Sequence, residues 1–241
     1  MNKEFERDAL GRGPSGRLLG CEGDDLGNPD APSIWIYGME PGGHPNNDED
    51  NASINESVLN YSIQYQLDEK WRLNKNVFKL LASIDGHKVS NYEDYAYGKQ
   101  PFVRGERGFY KGNLYPLPCQ REECWPKPHI KTTGFSRKQD YRDWCYSNRF
   151  PVISHLTEKH RPKLFIGLGL GNQDAYWSVT GVDRNLIQAC YTSNNIGGTR
   201  KYYVVETLHT KVAVIPHLSG ARPTNAGIQE LGEAIASWIG K

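Results

Sequence analysis

The sequence is poor in the features that would take it away from an ordinary globular domain. No apolar run approaches the roughly 20 residues that a membrane-spanning helix needs, so a membrane-embedded protein is not expected. The first residues, Met1-Asn-Lys-Glu-Phe-Glu-Arg-Asp8, lack the apolar centre of a signal peptide. The five cysteines, an odd number at irregular spacing, do not form a disulfide framework. Net charge is almost absent, at +1, so the chain as a whole exerts no strong pull on a polyanion. Apolar residues are scarce too, at 37% with a mean hydropathy of −0.68. That polarity points to long loops rather than disorder, because 6 Trp, 14 Tyr and 7 Phe supply ample core material. The expectation is a cytoplasmic protein whose 241 residues fit one α/β domain.

The small net charge hides an uneven distribution. Between Glu22 and Val58 there are nine acids and no Lys or Arg, whereas Pro101 to Asp140 carries eight bases and four acids. The basic segment reads either as a phosphate-binding face or as a solvated loop of mixed charge.

Residues 1–31 are rich in Gly, Asp and Arg without periodicity and read as an N-terminal arm over a single domain spanning 1–241. A first strand is expected at Ile34–Tyr37, then a polar loop from His44 to Ser53. Helical spacing follows through Val58, Tyr61, Ile63 and Tyr65, then Trp71, Val77, Phe78, Leu80, Leu81 and Ile84, stopping at Gly86. Tyr92–Gly98 reads as a Tyr-rich loop, Gly108–Tyr115 as a strand and Cys119–Thr133 as a proline-containing insert. Helix is expected from about Ser136 to Lys159, with Pro151 forcing a kink or a break. Pro162–Gly171 reads as a strand and turn leading to a short helix through Tyr176 and Trp177. Tyr202–Leu208 and Val212–Pro216 are the last strands. Thr224 or Asn225 caps a final helix with Ile228, Leu231, Ile235 and Trp238 on one face. Strands alternating with helices predict a three-layer α/β/α sandwich around a short, mostly parallel sheet.

Two strand ends carry reactive side chains. Ile34–Tyr37 runs into Gly38-Met39-Glu40-Pro41-Gly42-Gly43, a stiff loop holding one carboxylate; ligands of open α/β sheets bind at such edges. The same pattern also fits an ordinary turn with a solvated Glu. The last strand runs into Pro216-His217-Leu218-Ser219-Gly220-Ala-Arg222, placing an imidazole and a hydroxyl at the same edge. A cap or a core-polar role is the other reading of His217. Asn113 sits on a third strand, and its planar amide suits the edge of a base or a loop backbone.

Gly38-Met-Glu-Pro-Gly42, Asn113-Leu-Tyr-Pro116 and His217-Leu-Ser219, in that order, resemble the three motifs of the uracil-DNA glycosylase superfamily. Those motifs are Gly-x-(Asp/Asn)-Pro-(Tyr/Gly), an Asn at a strand end, and His-Pro-Ser. The first is similar to the Gly-Met-Asn-Pro-Gly of the single-strand-selective branch. The stretch from Trp144 through Pro162-Lys-Leu-Phe-Ile-Gly-Leu-Gly169 also resembles the helix and strand between the second and third motifs, so the likeness covers roughly residues 30–240. Two positions depart from the pattern: Glu40 replaces Asp or Asn, and Leu218 replaces Pro.

The resemblance implies an enzyme of base excision repair that hydrolyses the N-glycosidic bond of uracil or another damaged base in single- or double-stranded DNA. Gly38, Met39, Pro41 and Gly42 would line the pocket for an extruded base, with Glu40 positioning water or stabilising the cation. Asn113 would read the base, His217 would stabilise the departing anion, and Ser219 and nearby backbone would hold phosphates, with Arg222 a further substrate-binding candidate. Phe109, Tyr110 and several other Tyr are candidate stacking rings. No metal or redox cofactor is implied, and protein partners are unspecified. The alternatives are a nucleic-acid- or nucleotide-binding protein without catalysis, and a hydrolase of free nucleosides or nucleotides.

One branch of that superfamily carries an iron–sulfur cluster on four cysteines, two near the N-terminus and two around the second motif. Cys145 lies where the last would be and Cys119 or Cys124 where the third would be, but Cys21 stands alone at the N-terminus. Cys119, Cys124 and His129 with Cys145 form an unusual zinc spacing, and free buried thiols are the ordinary reading. Gly167-Leu-Gly169-Leu-Gly171 lacks the spacing and the downstream acid of a dinucleotide loop.

Overall fold

The computed structural model describes residues 1–23, 25–42, 62–67, 72–119, 125–220 and 222–240. The loop expected at His44–Ser53, the helical positions Val58, Tyr61 and Trp71, and Cys124 lie outside these residues.

A small antiparallel ribbon, β1 (Gly27–Asn28) and β2 (Ala31–Pro32), precedes a six-stranded sheet. The sheet comprises β3 (Ile34–Gly38), β4 (Phe109–Asn113), β5 (Leu164–Leu168), β6 (Gln188–Tyr191), β7 (Lys201–Glu206) and β8 (Lys211–Ile215), in the order β4-β3-β5-β8-β7-β6. β4, β3, β5 and β8 run parallel, while β7 is antiparallel to both of its neighbours. The C-terminal ends of β3, β4, β5 and β8 therefore share one edge.

Alternation along each strand divides the core in two. Ile34, Ile36, Leu164, Ile166, Ala213 and Ile215 face one layer; Trp35, Tyr37, Phe165, Val212 and Val214 face the other. Over the first face lie α3 (Arg72–Ile84), α4 (Tyr92–Lys99) and α9 (Asn225–Ile239), with the short α2 (Ile63–Gln66) beside them. The second face is covered by α1 (Lys3–Ala9), α6 (Lys138–Trp144), α7 (Phe150–His160) and α8 (Gln173–Thr180), with α5 (Lys127–Thr133) against α1. This is the three-layer α/β/α sandwich. Among the described residues no helix is long and apolar enough to cross a membrane. The Thr224 side chain accepts from Gly227 N at 3.0 Å and so caps α9.

Several expected elements take a different form. The Tyr-rich stretch Tyr92–Lys99 is a helix, not a loop. It lacks an apolar stripe, but Tyr95 and Ala96 bury against the neighbouring layer and Tyr95 donates to Asp85 at 2.7 Å. Acidic Glu93 and Asp94 suit its first turn, and Lys99 its last. The insert after Cys119 contains helix α5, with Pro128 in its first turn, where a missing N–H is tolerated. The long helical stretch, by contrast, is divided as Pro151 requires: α6 and α7 are two helices, and Pro151 sits in the first turn of α7. A π turn, Cys145–Arg149, joins α6 to α7, and Phe150 N donates to Cys145 O. The short, exposed β6 has no alternation that would announce a strand.

The N-terminal arm is built into the domain. Asn2 caps α1 through Glu4 N, while Phe5, Ala9 and Leu18 are buried in the second core. Asp25 ties the segment before β3 to the start of β4. Its carboxylate accepts from Gly108 N, from Ser33 Oγ at 2.9 Å and from Gly27 N at 3.0 Å. Burial pushes its pKa up, but these hydrogen bonds outweigh it and hold the group below its ordinary 3.8. Asp25→Ala is predicted to cost on the order of 2 kcal/mol in urea unfolding at neutral pH. Because the folded pKa is depressed, this contribution is complete above the unfolded value and fades as pH falls through the folded one. The deficit of the variant should therefore shrink in acid.

Candidate functional site

Gly38 ends β3 directly opposite Asn113, the last residue of β4. Pairing continues past both strands: Leu114 N donates to Gly38 O at 3.0 Å and Tyr115 N to Met39 O at 2.8 Å. A Cβ at position 38 would stand 2.6 Å from Asn113 Oδ1, so only glycine lets the amide lie over the strand end. Asn113 is buried, and its Nδ2 donates to Gly20 O of the arm at 3.0 Å. The carbonyl can only accept, which places Nδ2 toward the arm and Oδ1 toward Gly38.

Glu40 extends from this loop toward α6. Its Oε2 lies 3.0 Å from Lys138 Nζ and its Oε1 3.1 Å from Arg142 Nη2, with about an eighth of the side chain exposed. Lys138 and Arg142 are four residues apart and so share one face of α6. Arg142 also lies over the Tyr115 ring, 5.5 Å from its centroid. Gly42 forms an isolated parallel bridge to Cys119, and burial pushes the Cys119 thiol up to about 11. Both carboxylate oxygens are thus committed to cations, and the extra methylene of Glu over Asp gives the reach to them. This carboxylate is the centre of an ion triad rather than an open base.

His217 follows β8, two strand spacings from β3, or about 10 Å along the edge. The end of β5, at Gly169, lies between them, and Gly169 N donates to Ile215 O at 2.8 Å. Ser219 Oγ is 2.7 Å from His217 Nδ1, and Ser219 N donates to the same atom at 3.4 Å. A backbone N–H cannot accept, so Nδ1 is the acceptor and the ring proton resides on Nε2. Desolvation by the surrounding protein holds the His217 pKa below 6.5, although the residue is exposed at the surface. The product is a neutral imidazole with one N–H to offer. Leu218 anchors this loop. Its side chain is fully buried, and its carbonyl accepts from buried Asn76 Nδ2 at 2.7 Å. Ser219 and Arg222 are exposed.

The sheet edge therefore gathers Gly38–Gly42 and Asn113 into one bonded unit, with His217 and Ser219 across from it. Phe109 and Tyr110 are not available to stack on a ligand. Both are buried within β4, one on each face of the sheet, against Phe102 and against Trp35 and Tyr37. Three bases of the segment 101–140 are held in ion pairs: Lys111 with Glu22, Arg137 with Asp140 and Lys138 with Glu40. His129 Nε2 lies 2.7 Å from Pro118 O, and Cys145 is buried beside Tyr141 with its thiol pushed up to about 12, mainly by desolvation. Among the described residues no three His, Cys, Asp or Glu side chains converge as a metal site. Sequence reasoning missed Lys138 and Arg142, which the four-residue spacing could have paired, and Arg149, which no local pattern marks.

Glu40→Gln keeps the shape and removes the charge between two desolvated cations. The expected cost is on the order of 3 kcal/mol in urea unfolding. Lys138→Met in the same chain should recover part of it, because one uncompensated charge is gone.

Compared with known proteins, the chain matches no family model and no curated sequence.

Proposed function

We propose that this chain is a uracil-DNA glycosylase-like protein that releases a base from DNA, and that His217 carries the chemistry. Breaking an N-glycosidic bond leaves an anionic base and an oxocarbenium ion, so a donor aimed at the base lowers the barrier. The single observation that supports this most is the place of His217 on the same sheet edge as the Gly38–Asn113 pair, with its Nδ1 accepting from Ser219 N so that Nε2 carries the N–H. On this reading Asn113 would contact the base of an extruded nucleoside.

The Glu40 triad favours a second reading. With both oxygens engaged, Glu40 neither orients water nor offers a bare charge to the sugar, which suits recognition of a nucleic acid or nucleotide without cleavage.

Single-turnover assays on labelled oligonucleotides bearing uracil, hypoxanthine, xanthine or an oxidised pyrimidine separate these readings. Each substrate is tested single- and double-stranded. Release of one base, slowed on the order of a hundredfold by His217→Ala, is the result expected of a glycosylase. On the same reading Glu40→Gln, normalised to folded protein, changes the rate by less than about tenfold. Binding that weakens steeply with salt, without cleavage of any base, would move the assignment to the second reading.

A further inference from the structure

Arg149 is fully buried in the π turn between α6 and α7, and its partners are carbonyls and a thiol rather than a carboxylate. Nε donates to Leu114 O at 2.9 Å, and one terminal nitrogen donates to Asn113 O at 3.0 Å. These are the carbonyls at the end of β4. The same guanidinium donates to Ala9 O, to Leu19 O at 2.7 Å and, at 3.8 Å, to Cys21 Sγ, all in the N-terminal arm. Five N–H groups in a rigid plane reach both segments at once, which a lysine ammonium cannot do.

The arm in turn addresses Asn113 directly. Leu19 O is held by Arg149, and Gly20 O takes the Asn113 amide. Glu22 exchanges two backbone hydrogen bonds with Lys111, at 2.7 and 3.0 Å, and forms an ion pair with it at 2.6 Å. Gly20 has φ +75°, and a Cβ there would lie 2.7 Å from Pro116 O. Without Gly20 O, none of these contacts decides which way the Asn113 amide points.

We infer that Arg149 is a positioning residue for Asn113, and that through it the N-terminal arm belongs to the base-reading site. This rests on the reading that Asn113 touches the ligand. The arm is then a determinant of which base is accepted, although it lies outside all three motif segments.

The test uses the full chain with Arg149→Lys, with Gly20→Ala and with both. Hydrogen exchange is followed at Glu22 N, Lys111 N and the Asn113 side-chain amide, alongside selectivity among the four damaged-base oligonucleotides. Each single variant is expected to speed exchange at all three groups about tenfold or more. Selectivity, a ratio that a smaller folded fraction leaves unchanged, should drop about tenfold. The double variant should be little worse than the more affected single one, because both release the same arm. Faster arm exchange with an unchanged Asn113 amide, or with unchanged selectivity, would overturn the inference, as would additive effects. Should Arg149→Lys fail to fold, Gly20→Ala alone decides by the same readouts. A parent chain that neither cleaves nor binds would sink the proposed function instead, and the Asn113 amide would still report whether the arm positions it.

Discussion

Everything at the candidate site depends on one register: Gly38 paired with Asn113 at the ends of two parallel strands. A shift of one residue would turn every side chain of β3 to the opposite face. Trp35 and Tyr37 would then enter the layer now filled by Ile34 and Ile36. The two differently filled cores therefore fix the register, and the register puts an amide over a glycine. From there, backbone pairing carries the chain on to Met39 and Tyr115, and Glu40 is delivered to α6.

Polar groups, rather than apolar area alone, fasten the loops around this edge. Asn76 reaches from α3 to the carbonyl of Leu218, Arg149 holds the end of β4, and Lys138 with Arg142 holds Glu40. Each buried donor removes the cost of an unpaired carbonyl or carboxylate and also fixes one loop in place. A polar sequence with modest hydropathy is what such a design needs, because its loops are ordered by specific bonds.

The parts of the fold written in local periodicity were legible in the sequence. Val77, Phe78, Leu80, Leu81 and Ile84 mark α3, Gly86 marks its stop and Thr224 marks the start of α9. The strand Ile34–Tyr37 is a fully buried run and reads as one. Tyr92–Lys99 was illegible because two buried residues make no stripe, and β6 because an exposed edge strand needs no alternation. Glu40 could be picked out as a lone acid in a glycine-proline loop, but its fate could not. That depended on cations 98 and 102 residues further along the chain. Arg149 is the extreme case. It meets Ala9 across 140 residues, and a buried arginine served by carbonyls has no signature in its neighbours.

The reading turns on the charge state of His217. Nitrogen-detected NMR of the His217 ring, with pH varied from 5 to 8 (roughly the range over which histidine titrates), reports tautomer and protonation together. A neutral ring with its proton on Nε2, persisting at a pH where an unperturbed histidine is half charged, is the expected result. A ring protonated at neutral pH, or a neutral ring with its proton on Nδ1, would contradict a site organised around a neutral donor for a departing base.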